Sequence, residues 1–385
     1  MKEKVLRTKL CDMLGCDYPI CLAGMGLGTY LGGKDGRAIV SGSELTAAVS
    51  NAGGFGTLAC TGLTLDMLRD EIKRTKKLTD KPFGVDLMFP ATEAGEIIRK
   101  MKEELVGGKY KEHTDFVEKL AQKLGVTSKL DWEDILNLTM WDPDFCRAQA
   151  EIVFEEGADA FCLGTGSPKW VIDKAHDCGM KVISLVGTVR QAAAVKEAGA
   201  DIIVAQGYDA GGHTGDIGTF SLIPQVVDAV SLTPVLAAGG IFDGRGIAAA
   251  LSFGAVGVWV GTAFEATVEA NISEQQKQNI IAATERDPRK TRVFTGKTMR
   301  HTLSIIDKEW SASGMSTLPM PLQNYLITPL MKEMARMGRE DVLMTPAGQG
   351  AGGIKEIKTA KQVLDDMVSQ AIDILTYKLP NLVEL

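Results

Sequence analysis

The feature that most restricts how this chain can fold is a phrase that recurs along its middle: a helix-like stretch closing on glycine, then a small residue, then an apolar run. It stands as Glu155-Glu156-Gly157-Ala158-Asp159-Ala160-Phe161, as Glu197-Ala198-Gly199-Ala200-Asp201-Ile202-Ile203-Val204 and as Phe253-Gly254-Ala255-Val256-Gly257-Val258-Trp259, with a looser copy at Cys178-Gly179-Met180-Lys181-Val182-Ile183. The glycine suits the left-handed residue that ends a helix, and the run suits a strand buried on both faces. Gly157, Gly179 and Gly199 fall about 20 residues apart, the length of one helix, one strand and two short loops. This is a repeating βα unit.

Counting outward from the repeat predicts eight strands, near 19–22, 55–59, 83–88, 158–163, 181–185, 201–205, 234–237 and 255–260. Helices fit between them at 43–51, 65–76, 168–178, 189–198, 221–230 and 246–253. Eight such units make an α/β fold of the (β/α)8 TIM barrel type, whose chemistry sits in the loops after the C-terminal strand ends. An open doubly wound sheet is the alternative, since pattern alone does not show closure.

Two regions break the rhythm. Residues 90–143 follow the third strand and exceed an ordinary βα loop. With 8 Lys/Arg and 11 Asp/Glu over 91–142, and apolar positions at Ile97, Ile98, Met101 and Leu105 and then Phe116, Leu120 and Leu124, they read as a helical insertion over the barrel mouth. After Ala270 the strand signal stops, and helices at 272–284, 322–337 and 359–375 form an α-rich extension. The expected organisation is a barrel over 1–270, interrupted by 90–143, with a helical extension over 271–385 packing on it. The stripe Leu322, Leu326, Leu330, Met334 and Met337 reads as packing surface.

Composition narrows the function classes. The net charge is −7 and no basic patch interleaves with aromatics, which argues against nucleic acid. No apolar stretch approaches the roughly 18 residues that span a bilayer, and 1–15 lacks the core of a signal peptide, so a cytoplasmic protein without a membrane role is expected. The seven scattered cysteines contain no C-x-x-C pair and read as reduced, mostly buried thiols, with no metal site. Glycine is in excess, 42 of 385 residues against a usual share of about 7%, which implies many turns or close backbone approaches to a ligand.

Those glycines cluster where barrel chemistry belongs. Loop six reads Gln206-Gly207-Tyr208-Asp209-Ala210-Gly211-Gly212-His213-Thr214-Gly215, placing a group that titrates near neutrality among glycines. His213 is therefore the catalytic candidate, while His113, His176 and His301 read as structural. Loops seven and eight supply Ala238-Gly239-Gly240-Ile241 and Gly261-Thr262-Ala263, the usual place of a phosphate site in barrels. Asp243 and Arg245 read as a helix cap and a surface charge. The first loop, Leu22-Ala23-Gly24-Met25-Gly26-Leu27-Gly28, is a poor dinucleotide fingerprint and better suits a backbone lying against a planar ring.

Together these phrases, with Leu45-Thr-Ala-Ala-Val-Ser-Asn-Ala-Gly-Gly-Phe-Gly56 and an echo in Ala347-Gly348-Gln349-Gly350-Ala351-Gly352, resemble the nitronate monooxygenase (2-nitropropane dioxygenase) family, which is related to the flavin-containing enoyl-acyl carrier protein reductases. The resemblance implies non-covalently bound FMN. Ala23, Gly24 and Met25 would flank the isoalloxazine, with Gln206, Gly211 and Gly212 nearby, and Gly239, Gly240, Gly261 and Thr262 would bind the ribityl phosphate. His213 matches the family's catalytic histidine. The sequence departs from the family where proline is usual, at Gly24, and where Asn is common, at Asp86, so a carboxyl is expected near the flavin. The implied activity is oxidation of alkyl nitronates by oxygen. NAD(P)H-dependent reduction of an activated C=C bond and a non-catalytic flavin-binding barrel are the alternatives. The expected partners are small molecules, with assembly as a homodimer left open.

Overall fold

The computed structural model describes residues 5–26, 39–90 and 95–382. Gly28, from the glycine-rich first loop, and residues 91–94 of the insertion fall outside these. Eight parallel strands run Ile20–Leu22, Gly56–Ala59, Phe83–Met88, Ala160–Thr165, Lys181–Val186, Ile202–Gln206, Val235–Ala238 and Gly257–Val260, each hydrogen-bonded to its sequence neighbour from the second to the eighth. The eighth strand pairs in turn with the first, Ile20 opposite Val258. The remaining gap between first and second strands is bridged by backbone bonds from Leu22 to the Phe55 carbonyl and from Phe55 to the Ile20 carbonyl, both 2.9 Å. The sheet thus comes round on itself and the open-sheet alternative falls.

The repeat glycines explain the regularity. Gly157, Gly179, Gly199 and Gly254 all take positive φ, from 75° to 108°, a region that L side chains seldom adopt, and each turns the chain from a helix into the next strand. Inside the barrel, Phe55, Cys162, Ile183, Val204 and Leu236 are buried. The helix Lys9–Leu14, capped by the Thr8 hydroxyl, closes the bottom: Leu10 is fully buried in the same cluster as the barrel interior.

The insertion forms helices Gly95–Val106 and Lys111–Lys123 and a short turn at Glu133–Asn137. Their buried residues Ile98, Leu105, Val117 and Leu120 join one cluster with the extension helix Leu322–Arg336. That helix is buried nearly all round. Leu322, Leu326, Leu330 and Met334 are core, as are Gln323, Tyr325 and Ile327, while Met337 lies just past its end and is exposed.

The extension is helical but also holds strands where none were expected. Pro288–Thr291, Met299–Thr302 and Thr345–Pro346 form a small antiparallel sheet that pairs with Gly212–His213 of loop six. These strands are two to four residues long and read Pro-Arg-Lys-Thr, Met-Arg-His-Thr and Thr-Pro, with no apolar alternation to reveal them. Met299–Thr302 is the central strand, paired with the other two and with loop six. Among the described residues, no helix is long and apolar enough to cross a membrane.

Candidate active site

A cavity of about 480 Å³ opens at the C-terminal ends of the strands, and all eight strand ends reach it. That volume lies within the range of small-molecule sites. Ala23, Gly24 and Met25 line it from the first loop, Asp86 from the third strand, Gln206, Gly211, Gly212 and His213 from the sixth loop, Gly239 and Gly240 from the seventh, and Gly261 and Thr262 from the eighth. The residues singled out in the sequence therefore meet around one space.

Loop six is held from two sides. The Gln206 side-chain amide donates to the His213 carbonyl at 2.6 Å, and the Thr214 hydroxyl donates to the Gly207 carbonyl at 3.0 Å. On the other side, Met299 is paired with His213 and Arg300 with Gly212. The Ala347–Gly352 phrase wedges between loops six and eight: Gln349 N–H donates to the Asp209 carbonyl, and Gly348 N–H donates to the Thr262 hydroxyl at 3.0 Å. A Cβ at Gly211 would lie 2.8 Å from the Ala347 carbonyl carbon, so only glycine permits this approach.

His213 Nε2 lies 2.9 Å from the Thr295 hydroxyl. That hydroxyl also lies 3.0 Å from the Lys297 carbonyl; when it donates there it accepts from Nε2, which leaves the lone pair on Nδ1. Burial, with the Lys297 ammonium as a smaller cause, lowers the imidazole from its ordinary 6.5 to about 4. His213 is thus neutral across the physiological range. Lys297 lines the same cavity, and burial holds its ammonium below the usual lysine range.

Two carboxyls complete the set. Burial pushes Asp86 well above the usual carboxylate range, and Gly24 and Gly164 press against it. Glu265 follows Thr262 by one helical turn, lines the cavity while only 2% exposed, and is raised by burial to about 8, with Oε1 lacking a hydrogen bond among the described residues. Sequence reasoning missed Glu265, Thr295, Lys297, Asn324 and the insertion residues Met140 and Trp141, all of which line the cavity. Only the Gly-rich phrase at 347–352 hinted that the extension reaches this space.

The other histidines are engaged elsewhere: His113 with the Ser316 carbonyl, His176 with Asp201 and buried His301 with Asp307. The Asp243 carboxylate caps the helix Gly244–Ser252 through Arg245 N–H and also pairs with the Arg245 side chain. Six cysteines are buried and Cys178 is exposed.

The sequence profile of the nitronate monooxygenase family matches residues 8–370. The chain belongs to that family. Among relatives, a putative monooxygenase of Mycobacterium tuberculosis is 33% identical, with 96% of this chain and 97% of the relative covered. A probable nitronate monooxygenase of Staphylococcus aureus is 30% identical over 97% of this chain and 99% of its own length. Among solved structures, nitroalkane oxidase of Streptomyces ansochromogenes superposes with a TM-score of 0.74 at 29% identity, covering 95% of this chain and 99% of that one. FabK of Thermotoga maritima gives 0.72 at 29%, covering 98% and 100%. As a nitronate monooxygenase family member, the protein is a flavin-dependent oxidoreductase acting on small molecules, and the reading as a non-catalytic barrel is set aside.

Proposed function

We propose that this protein binds FMN at the barrel mouth and oxidises alkyl nitronates with molecular oxygen. The residues present fit a flavin. Among the described residues, Gly212 has nothing within 4 Å of where a Cβ would stand, and at Gly187 the nearest atom is 3.8 Å away, so a flat ring system can lie directly on backbone. At the other end, Gly239 and Gly240 take positive φ of 105° and 73°, and with Gly261 and Thr262 they would hold the ribityl phosphate through main-chain amides. Ala23, Gly24, Met25, Asp86, Gln206, Gly211 and Gly212 would surround the ring. Bound FMN supplies uptake of electrons from the electron-rich nitronate carbon and their passage to oxygen.

The observation that carries this reading is His213, held neutral beside an ammonium and, among the described residues, with no carboxylate partner. A neutral imidazole with a free Nδ1 lone pair accepts the proton of a neutral nitroalkane without first losing one of its own. The Lys297 charge favours an anionic substrate in the same space. Thr295 keeps the ring in one orientation.

The whole-length likeness to FabK favours one second reading, NAD(P)H-dependent reduction of an activated C=C bond. Anaerobic mixing of the yellow protein decides between them. Bleaching of the flavin by propyl-2-nitronate, with none by NADH or NADPH, is the expected result; the reverse pattern establishes the second reading. A protein that neither carries flavin nor takes up FMN overturns both.

A further inference from the structure

We propose that Asp86 is the residue that receives the negatively charged oxygens of the substrate, as a hydrogen-bond donor in the cavity wall. This rests on the reading of the site as one for flavin and a small oxyanion.

The geometry around Asp86 is unusual for an aspartate. It sits in the third strand, 8% exposed, and lines the cavity. Its carboxyl is lodged between two pieces of backbone that carry no side chain. A Cβ at Gly24 would collide with Oδ2 and stand 2.6 Å from the carboxyl carbon, and one at Gly164 would stand 2.9 Å from Oδ1. Glycine at 24 and 164 is thus what gives the carboxyl its place. An aspartate placed like this requires the first loop to be bare at position 24.

Enclosed in this way, the carboxyl has no cation against it among the described residues. The titratable groups packed against it are two buried thiols, Cys60 after the second strand and Cys162 in the fourth. The main chain of Gly164 hydrogen-bonds to one part of the carboxyl. Burial without a counter-charge keeps a proton on such a group at pH values where an exposed aspartate has lost it. A carboxylic acid then has one O–H to give, and within the cavity an anionic oxygen is its strongest acceptor. A nitronate carries its charge on two oxygens, so the acid holds the anion while leaving the reactive carbon to the ring.

Nitrate, a planar and unreactive oxyanion, is the probe, titrated into FMN-saturated protein and followed by the change in flavin absorbance. Wild type is expected to bind nitrate more weakly as pH rises and the acid loses its proton. Asp86→Ala is expected to weaken binding about tenfold at pH 6. Asp86→Asn, which keeps a donor without a titrating proton, restores binding and removes that part of the pH dependence. Glu265, Lys297 and His213 are present in wild type and variants alike, so the comparison isolates Asp86. Gly24→Ala, which displaces the carboxyl, is expected to lose as much as Asp86→Ala, with no further loss in the double variant. Unchanged nitrate affinity in Asp86→Ala, or full wild-type pH dependence in Asp86→Asn, overturns the proposal. Absence of a flavin spectrum, scored before nitrate is added, overturns instead the reading beneath it.

Discussion

Along the ends of the sixth, seventh and eighth strands, the cavity wall is largely backbone: Gly211, Gly212, Gly239, Gly240, Gly261 and Gly348. Along the third strand, beneath the insertion and beside the small sheet, it is side chain: Asp86, Met140, Trp141, Thr295, Lys297 and Asn324. On the proposed reading this backbone wall would face the flavin's flat ring and phosphate, and at Gly211 and Gly239 it leaves no room for a Cβ. A side-chain wall distinguishes one substrate from another and can change by point substitution.

Four variants can break or sharpen that division. The largest effect is expected from His213→Asn, which should lower turnover of neutral nitroalkanes by about 100-fold or more with FMN still bound; steady-state rates and the flavin spectrum check both parts. Unchanged turnover would remove His213 from the mechanism. In the backbone wall, Gly239→Ala forces a residue with a Cβ into φ 105° and places it 2.8 Å from the Thr219 hydroxyl. FMN affinity, measured by fluorescence titration, should fall about tenfold; an unaltered dissociation constant would show that this wall can accept side chains after all.

Glu265 tests the cost of a buried acid. Burial raises it from 4.5 to about 8, so between those values the folded chain keeps a proton that the unfolded chain releases, and stability falls as pH climbs through the interval. Glu265→Gln has no such titration and should gain about 2 kcal/mol or more on wild type at pH 8 relative to pH 5, read by urea unfolding at the two values. A constant difference between the proteins at both would contradict a raised carboxyl. The smallest effect belongs to Lys297→Met. Removing the ammonium should raise the His213 pKa above about 4 yet leave it below 6.5, because burial is the larger cause. Imidazole chemical shifts against pH measure it, and a value that does not rise removes Lys297 as an influence.

The backbone wall was legible in the sequence and the side-chain wall was not, for a physical reason. Gly157, Gly179 and Gly199 announce helix ends because few residues other than glycine take their backbone angles, and the runs after them announce buried strands. The barrel and the glycines of loops six to eight followed from such local rules. His213 was visible because it stood inside one of those clusters. Thr295 and Lys297 were not, since they reach the cavity only through pairing of Met299–Thr302 with Gly212–His213, a contact across more than 80 residues of chain that leaves no periodic trace. Trp141 and Glu265 look in sequence like ordinary apolar and surface residues, and only tertiary packing turns one into cavity wall and the other into an enclosed acid.

The wedge of Ala347–Gly352 between loops six and eight has a consequence for the order of events during synthesis. All eight strands have been made once Val260 is in place, yet Gly348 still has to donate to Thr262 and Gln349 to Asp209 before the space above the strands has its wall. The strands are thus made first and part of the cavity wall last: a chain ending at Val260 would carry all eight strands without Thr295, Lys297 or Gly348.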